Sequence, residues 1–275
     1  MTHPYLTEDH DIFRKSFRKF LEKEAYPYYE KWEEERMIPR AFWKKMGEHG
    51  YLCPDIAEEY GGSGVDWGFS VIINEELERV GSSMIGIGLH NDIVVPYIHS
   101  YGTVEQKQKW LPKCATGEII TAIAMTEPGT GSDLSNIETT AKLEGDHYLL
   151  NGQKTFITNG ITADLVVVAC KTDAHAVPRH KGISLLVVER DTPGFSRGRK
   201  LQKVGLHAQD TAELIFEDCK VPKENLLGAE GHGFRYLMEK LQQERLIVAI
   251  AAQVASEEML RNTIEYVKSR QAFGK

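Results

Sequence analysis

The sequence lacks the cysteine and histidine patterns that bind metals or cross-link small folds. Its four cysteines are widely separated and contain no Cys-x-x-Cys pair, which argues against a metal site or a disulfide framework. We expect reduced and mostly buried thiols, as in cytosolic proteins. The ten histidines include no His-Glu-x-x-His spacing, so a zinc hydrolase is not supported and we expect no metal.

Long apolar runs and an excess of positive charge are also absent. No stretch approaches the roughly 20 apolar residues that a membrane-spanning helix needs. The first residues carry neither an apolar signal core nor an arginine-rich transit segment, which predicts a cytoplasmic protein unless a targeting segment, such as a mitochondrial one, has been removed. The net charge of −7 disfavours nucleic-acid binding, although it leaves room for a local basic patch that contacts phosphates.

The composition is that of an ordinary globular protein, and the spacing of the apolar residues changes twice along the chain. Hydrophobic residues make up 41% and charged residues 27% of the 275 residues. Apolar residues recur at helical spacing in 1–118, form short β-branched runs in 119–230, and return to helical spacing in 231–275. Strands do not alternate with helices, which argues against a doubly wound dinucleotide fold. The sequence predicts a helical domain, a small β-barrel or sandwich, and the start of a second helical domain.

Within these parts, particular stretches predict particular elements. The first helix begins after Thr7 and should bury one face; a second should open at Pro39; further helices are expected over 69–80 and 104–111, and a long one after Gly233. The expected buried face of the first helix consists of Ile12, Phe13, Phe17, Phe20 and Leu21.

Strands are expected where β-branched runs lie between turn signals. They cover 119–125, 165–170, 183–188 and 212–216, with a hairpin over 143–150. Asn151-Gly152 is a second turn signal, since Asn-Gly pairs favour tight hairpin turns.

The most informative stretch is the loop Thr126-Glu-Pro-Gly-Thr-Gly-Ser-Asp133, which follows a predicted buried strand. Its glycines allow close approach to a ligand, and its backbone N–H groups can form an anion-binding nest. It lacks the lysine of a P-loop and the third glycine of a Rossmann motif. From the loop alone, an ordinary Pro-Gly turn is as good an interpretation as a ligand site.

Further motifs along the chain favour the ligand site. Besides the 126–133 loop they are Glu58-Glu-Tyr-Gly-Gly-Ser-Gly64, Gln106-Lys-Gln-Lys-Trp-Leu-Pro112, Asn151-Gly-Gln-Lys-Thr-Phe-Ile-Thr-Asn-Gly160, Gly205-Leu-His-Ala-Gln-Asp-Thr211 and Arg270-Gln-Ala-Phe-Gly-Lys275. Through these motifs the chain resembles the acyl-CoA dehydrogenases over its whole length. These flavin enzymes introduce a double bond between the α and β carbons of acyl-CoA thioesters, and the likeness is strongest to their long-chain branch.

The resemblance implies a catalytic base at Glu244. In the long-chain and isovaleryl branches the base lies in this helix just before Arg-Leu, and Glu244 precedes Arg245-Leu246. From the pattern alone, a surface acid paired with a nearby base would be the better interpretation. A free glutamate has a pKa of about 4.3, so an apolar surrounding should raise it for proton abstraction. Adjacent residues face different sides of a helix, and the resemblance implies that Arg245 faces the phosphates of CoA.

The resemblance also implies the contacts of FAD and of the substrate. Thr126 and Thr158 should hydrogen-bond the flavin ring, and Phe156 should pack on its face, where many relatives have tryptophan. The implied flavin contacts are Ile123, Ala124, Met125, Thr126, Gly131, Ser132, Phe156, Ile157 and Thr158, with Arg270 and Phe273 contacting the flavin of a neighbouring subunit. The implied substrate contacts are Ser132, His180, Lys181, Gln242, Gln243, Arg245 and Arg235, a position that is aromatic in some relatives.

Three hypotheses about function follow. The first is α,β-dehydrogenation of long-chain acyl-CoA in fatty-acid β-oxidation, with reoxidation by an electron-transferring flavoprotein and assembly as a homotetramer. The second is a branched-chain enzyme of the isovaleryl type, or a flavin oxidase or monooxygenase. The third is a truncated, non-catalytic acyl-CoA-binding protein, since the family normally continues for about another 100-residue helical module beyond Lys275.

Overall fold

A computed structural model describes residues 5–274 of the chain. Helices occupy its first part, as predicted, and core residues such as Phe17, Trp43 and Trp110 are almost completely buried between them. The helices are Glu8–Glu24 (α1), Tyr29–Glu35 (α2), Arg40–Glu48 (α3), Trp67–Val80 (α4), Ile85–Gly88 (α5), Val95–Tyr101 (α6) and Val104–Ala115 (α7).

The first helix buries a narrower face than the sequence predicted. Phe17, Phe20 and Leu21 lie in the core and Phe13 is half-buried against it, but the prediction for Ile12 was wrong, because its side chain is 57% exposed. Ile12 lies about 100° around the helix from Phe13. The buried face of α1 is therefore centred on the three phenylalanines, and Ile12 lies at the edge of that face, in contact with solvent.

A helical segment that the sequence analysis missed crosses the middle of this domain. α5 runs directly into a π-helical turn, Leu89–Val94, which runs directly into α6. Gly86, Gly88 and Pro96 are poor helix formers, which hid the segment from a propensity argument. The glycines are needed for packing, since an added Cβ would collide with the side chain of Asn159 at Gly86 and of Asn74 at Gly88.

The middle part is a β domain, as predicted. Its strands form one connected sheet in the order β6-β7-β3-β2-β4-β5-β8, and β1 pairs in parallel with β4. The strands are Thr121–Ala124 (β1), Thr140–Glu144 (β2), His147–Thr158 (β3), Leu165–Lys171 (β4), Ile183–Glu189 (β5), Phe195–Lys200 (β6), Thr211–Pro222 (β7) and Leu226–Leu227 (β8).

Strand β4 is buried on both faces, which explains its uninterrupted apolar sequence. Val166 and Val168 pack in a cluster with Tyr148 of β3 and Phe216 of β7, inside the β domain. The alternate residue Val167 belongs to the larger cluster that contains the helices. One face of the sheet therefore packs on the core of the β domain, and the other face packs against the helical domain.

Two details of the β domain differ from the sequence analysis. The turn predicted at Asn151-Gly152 is wrong, because β3 continues through it with a register shift against β7 between Leu150 and Gly152. The glycine is required because an added Cβ would collide with Thr139, not because the chain reverses there. The strand Phe195–Lys200 was missed, since its charged sequence shows no apolar alternation.

Helix returns as predicted in Gly233–Ser269 (α8), which has 37 residues. It packs against α4, β5 and the π-helical turn, and its buried side chains include Leu237, Glu244 and Ile247. Towards its end the apolar side chains of Met259 and Leu260 are exposed. Among the helices of residues 5–274, none is both long and apolar enough to cross a membrane.

Candidate active site

The carboxyl group of Glu244 is directed into the protein from the first half of α8. Only 9% of the residue is exposed, whereas its neighbours Gln242 and Arg245 are on the surface. The expectation that Glu244 and Arg245 face different sides is therefore confirmed. The phenol Oη of Tyr97, on α6, donates a hydrogen bond of 2.6 Å to Glu244 Oε1.

The surroundings of Glu244 make its carboxyl group a weaker acid than usual. Burial raises the pKa of Glu244, and the hydrogen bond from Tyr97 and the positive charges of Arg245 and Lys240 oppose this without cancelling it. A carboxylate with a raised pKa is a stronger base than an ordinary one. The group therefore has the property that proton abstraction requires.

The π-helical turn and α6 hold this part of α8 in place by contacts that sequence analysis did not find. In addition to the Tyr97 bond, the Gln243 side chain donates a 2.9 Å hydrogen bond to the carbonyl oxygen of Asp92 in the π-helical turn. Tyr97 and Glu244 are 147 residues apart, so no local sequence pattern indicates the pair. π-Helical turns are frequent at functional sites, because they redirect the side chains that follow.

We expect Tyr97→Phe to move the acid limb of the pH–rate profile to higher pH. The tyrosine hydrogen bond lowers the pKa of Glu244 against the effect of burial. Without that bond the pKa rises further, so the carboxylate forms only at higher pH. The measurement is kcat/KM against pH, which reports groups of the free enzyme.

Tyr101→Phe is the matched control, since Tyr101 also reaches from α6 to α8 but donates to the exposed Glu239. An acid limb that stays in place in Tyr97→Phe would contradict the assignment of Glu244 as the base.

The predicted flavin loop and the predicted stacking residue lie next to each other. The backbone N–H of Thr155 in β3 donates a 2.9 Å hydrogen bond to the carbonyl oxygen of Thr126. The next residue, Phe156, has a φ of 58° and a side chain that is 68% exposed. A bulky residue in the left-handed region is strained, and such strain is concentrated at functional sites.

The remaining predicted flavin contacts differ in what they can offer a ligand. Ile123, Ala124 and Ile157 are buried as whole residues, so they offer a ligand little accessible surface. Met125, Thr126 and Thr158 are half-buried, and Gly131 and Ser132 are exposed. A Cβ added at Gly131 would meet no atom of the protein within 4 Å. Packing therefore does not explain this glycine, and the open space beside it suits a ligand.

A buried ion pair fastens the loop to the strand, and sequence analysis missed it. Lys154 Nζ lies 2.8 Å from Glu127 Oε1, with side-chain exposures of 0% and 5%. The same ammonium donates a 2.9 Å hydrogen bond to the carbonyl oxygen of Met125. Both residues belong to motifs noted in the sequence, but a lysine in a strand is usually solvated, so nothing local marked it as buried.

Three predicted substrate residues surround one cavity. His180, Lys181 and Arg235 line a cavity of about 550 Å³, together with the unpredicted His232 and Phe234. The His180 ring lies on that of Phe234, with centroids 5.1 Å apart. Glu230 also lines it, so the cavity combines basic side chains, one acidic side chain and an aromatic ring. Its basic side chains can bind phosphate groups.

Gln242 and Gln243 line a second cavity, separate from the first. Its volume is about 370 Å³, and Trp67 of α4 and Leu246 of α8 also line it. It lies on the same turns of α8 as Glu244. Ser132 lines neither cavity.

Arg270 and Phe273 are far from the other predicted site residues. They follow the end of α8 and are exposed. The 25 residues from Glu244 to Ser269 correspond to about 38 Å along a helix at 1.5 Å per residue. Arg270 and Phe273 therefore do not lie beside Glu244 of the same chain.

Comparison with known proteins gives matches along nearly the whole chain. Residues 7–118 match the N-terminal domain of acyl-CoA dehydrogenases, 122–219 the middle domain and 231–275 the C-terminal domain. The crystal structure of an acyl-CoA dehydrogenase from Geobacillus kaustophilus is 73% identical with a TM-score of 0.98, covering 100% of this chain and 72% of that one.

Curated relatives fall into more than one branch. The mitochondrial long-chain specific acyl-CoA dehydrogenase of Sus scrofa is 48% identical over 98% of this chain and 63% of its own length. The mitochondrial isovaleryl-CoA dehydrogenase of Pongo abelii is 39% identical over 98% of this chain and 64% of its own length. The chain thus spans slightly less than two thirds of these relatives.

Proposed function

The chain belongs to the acyl-CoA dehydrogenase family, and from this we propose that it carries out FAD-dependent α,β-dehydrogenation of long-chain acyl-CoA thioesters. The observation that carries the proposal is the buried carboxyl group of Glu244, whose pKa is raised by burial. It lies on a helix that contacts the π-helical turn, and that turn also contacts β1, which leads into the predicted flavin loop.

Glu244 acts as the base in this proposal. Its ionised carboxylate accepts the proton from the α carbon of the thioester, and the product is a neutral acid in a surrounding that disfavours charge. Tyr97 holds one carboxyl oxygen, Oε1, by its 2.6 Å hydrogen bond. The other oxygen, Oε2, is left to meet the substrate.

The residues around the loop fit a flavin. Phe156 offers an exposed ring, Gly131 leaves space, and the half-buried Thr126 and Thr158 supply hydroxyl groups. When bound, FAD supplies the acceptor for the hydride that leaves the β carbon. The task of this chain is to hold the ring beside the reacting carbons and to exclude water from them.

The cavity lined by His180, Lys181 and Arg235 is the proposed contact for the phosphates of CoA. Arg245 is an exposed cation on the same helix as Arg235, ten residues further along, or about 15 Å at 1.5 Å per residue. Arg235 is held by an ion pair of 2.6 Å to Glu239, which a phosphate would have to replace or share. A net negative chain can thus bind an anionic substrate through a local basic surface.

The partners are proposed on the same basis. Arg270 and Phe273 do not lie beside Glu244 of the same chain, which supports a homo-oligomer in which they contact the flavin of a neighbouring subunit. An electron-transferring flavoprotein is the proposed acceptor of the electrons. The long-chain preference is supported by the higher identity to the long-chain relative, 48% against 39% for the isovaleryl relative.

A chain-length series tests the proposal. We expect purified full-length protein to be yellow and to reduce an electron-accepting dye fastest with palmitoyl-CoA, more slowly with butyryl-CoA and isovaleryl-CoA. An optimum at isovaleryl-CoA would replace the long-chain assignment by the branched one. Hydrogen peroxide formed at the rate of turnover without dye would indicate an oxidase, and a colourless protein would overturn the catalytic proposal.

A further inference from the structure

The Glu127 carboxylate links the start of the predicted flavin loop to the chain just before β2. We call this connection, formed by Glu127, Glu138 and Thr139, the neck of the loop. It accepts hydrogen bonds from the backbone N–H groups of Glu138 and Thr139, the latter at 3.0 Å. Glu127 and Thr130 also exchange two backbone hydrogen bonds, of 2.9 and 3.1 Å. One side chain thus joins a residue near the start of the loop to the two residues directly before β2.

Lys154 joins this neck to β3. Its ammonium contacts Glu127 Oε1 at 2.8 Å and the Met125 carbonyl at 2.9 Å, while the N–H of Thr155 holds the Thr126 carbonyl. Burial works to raise the pKa of Glu127, but the hydrogen bond and charge of Lys154 outweigh it and the pKa is lowered. The carboxylate is therefore ionised at neutral pH, and a charged hydrogen bond of this kind is stronger than a neutral one.

Phe156, the strained residue, lies two positions after Lys154 in β3. The pairing of β3 with β7 shifts register between Lys154 and Ile157, and Phe156 has its left-handed φ of 58° within this bulge. A strained conformation persists only where the surroundings fix the backbone on both sides. Lys154 and Thr155 provide that fixation on the N-terminal side, through Met125, Thr126 and Glu127.

We propose that Glu127 and Lys154 are positioning residues for the flavin, which set the distance and orientation between the Met125–Thr126 backbone and the Phe156 ring. The inference rests on the proposed function, since it presumes that flavin is the ligand of this loop. It assigns a role to two residues whose side chains are buried. Their ion pair fixes both the Met125–Thr126 backbone and the strand segment that carries the Phe156 ring.

The test compares Lys154→Met, Glu127→Gln and the double variant with Lys142→Met. Lys142 is the matched control because it forms an ion pair of the same 2.8 Å length with Glu144 in the same domain, but on the surface. The dissociation constant of FAD is measured by fluorescence titration of each flavin-free protein, below the temperature at which circular dichroism shows unfolding. The exchange rate of the Thr155, Glu138 and Thr139 amide protons is measured in the absence of flavin.

We expect Lys154→Met and the double variant to bind FAD about tenfold or more weakly, the effect of losing one charged hydrogen bond, while Lys142→Met binds like the wild type. The three amides should exchange faster in the same variants. The double variant leaves no unpaired buried charge, so it keeps the test open where Lys154→Met fails to fold. A folded double variant with FAD affinity within about twofold of the wild type would overturn the inference.

The FAD affinity of the wild type tests the proposed function, and the FAD affinity of the variants tests the positioning role. If the wild-type protein binds no FAD, the proposed function fails, and the role in flavin positioning falls with it. If the wild type binds FAD and the folded variants bind it equally well, the positioning role alone is wrong. Unchanged amide exchange in the folded variants would also count against the positioning role.

Discussion

Glu244→Gln should abolish most of the dehydrogenase activity while leaving the protein yellow. The amide has nearly the same shape and can still accept the Tyr97 hydrogen bond of 2.6 Å, but it cannot take a proton from carbon. General-base catalysis contributes about 10²- to 10⁴-fold to rates, so we expect kcat to fall by at least about a hundredfold. The measurement is dye-coupled oxidation of palmitoyl-CoA at saturating substrate, with KM determined separately.

Glu257→Gln is the control for that variant. It removes a carboxylate from the same helix at a side chain that is 53% exposed, and turnover should be near that of the wild type. If Glu244→Gln retained turnover close to the wild type with an unchanged KM, another residue would have to be the base. A loss of flavin from Glu244→Gln would instead point to a structural role, which the absorption spectrum detects.

Phe17→Ala should strongly destabilise the helical domain. Phe17 is completely buried, its ring centroid lies 4.5 Å from that of Tyr51, and it packs with the neighbouring phenylalanines of α1. Truncation of a buried phenylalanine costs about 3–5 kcal/mol, because it loses apolar burial and leaves a cavity. Chemical denaturation followed by tryptophan fluorescence measures this, since all four tryptophans lie within the first 110 residues.

Ile12→Ala is the comparison on the same helix. Ile12 is 57% exposed, so its truncation should change the free energy of unfolding by less than about 0.5 kcal/mol. Equal losses in the two variants would show that the apolar spacing of the sequence, rather than the packing described above, gives the correct buried face.

Local patterns predicted those features whose cause is local. The change from helical to β to helical periodicity gave the architecture, and the apolar run 165–170 gave β4, because a strand buried on both faces needs no alternation. The motifs located the loop at 126–133 and the exposed Phe156. That Glu244 and Arg245 face different sides of α8 followed from helix geometry. The burial of Glu244 was not predicted by the pattern, which favoured a surface acid, and came only from the family resemblance.

What the sequence did not predict depends on contacts between distant residues. Tyr97 meets Glu244 across 147 residues, and Lys154 meets Glu127 across 27. Gly152 resembles a turn residue but is required by its contact with Thr139. In each case the side chain is explained by a neighbour that only the folded chain provides, so propensity and spacing carry no signal of it.

The uninterrupted length of α8 limits which insertions and deletions this chain can tolerate. An insertion or deletion of one residue anywhere between Glu244 and Ser269 would turn the two ends of the helix by about 100° relative to each other, with no loop in between to absorb it. Surface loops outside the proposed site can vary in length without such a penalty. The spacing between the base and the end of α8 should therefore tolerate substitutions but resist any change in residue number.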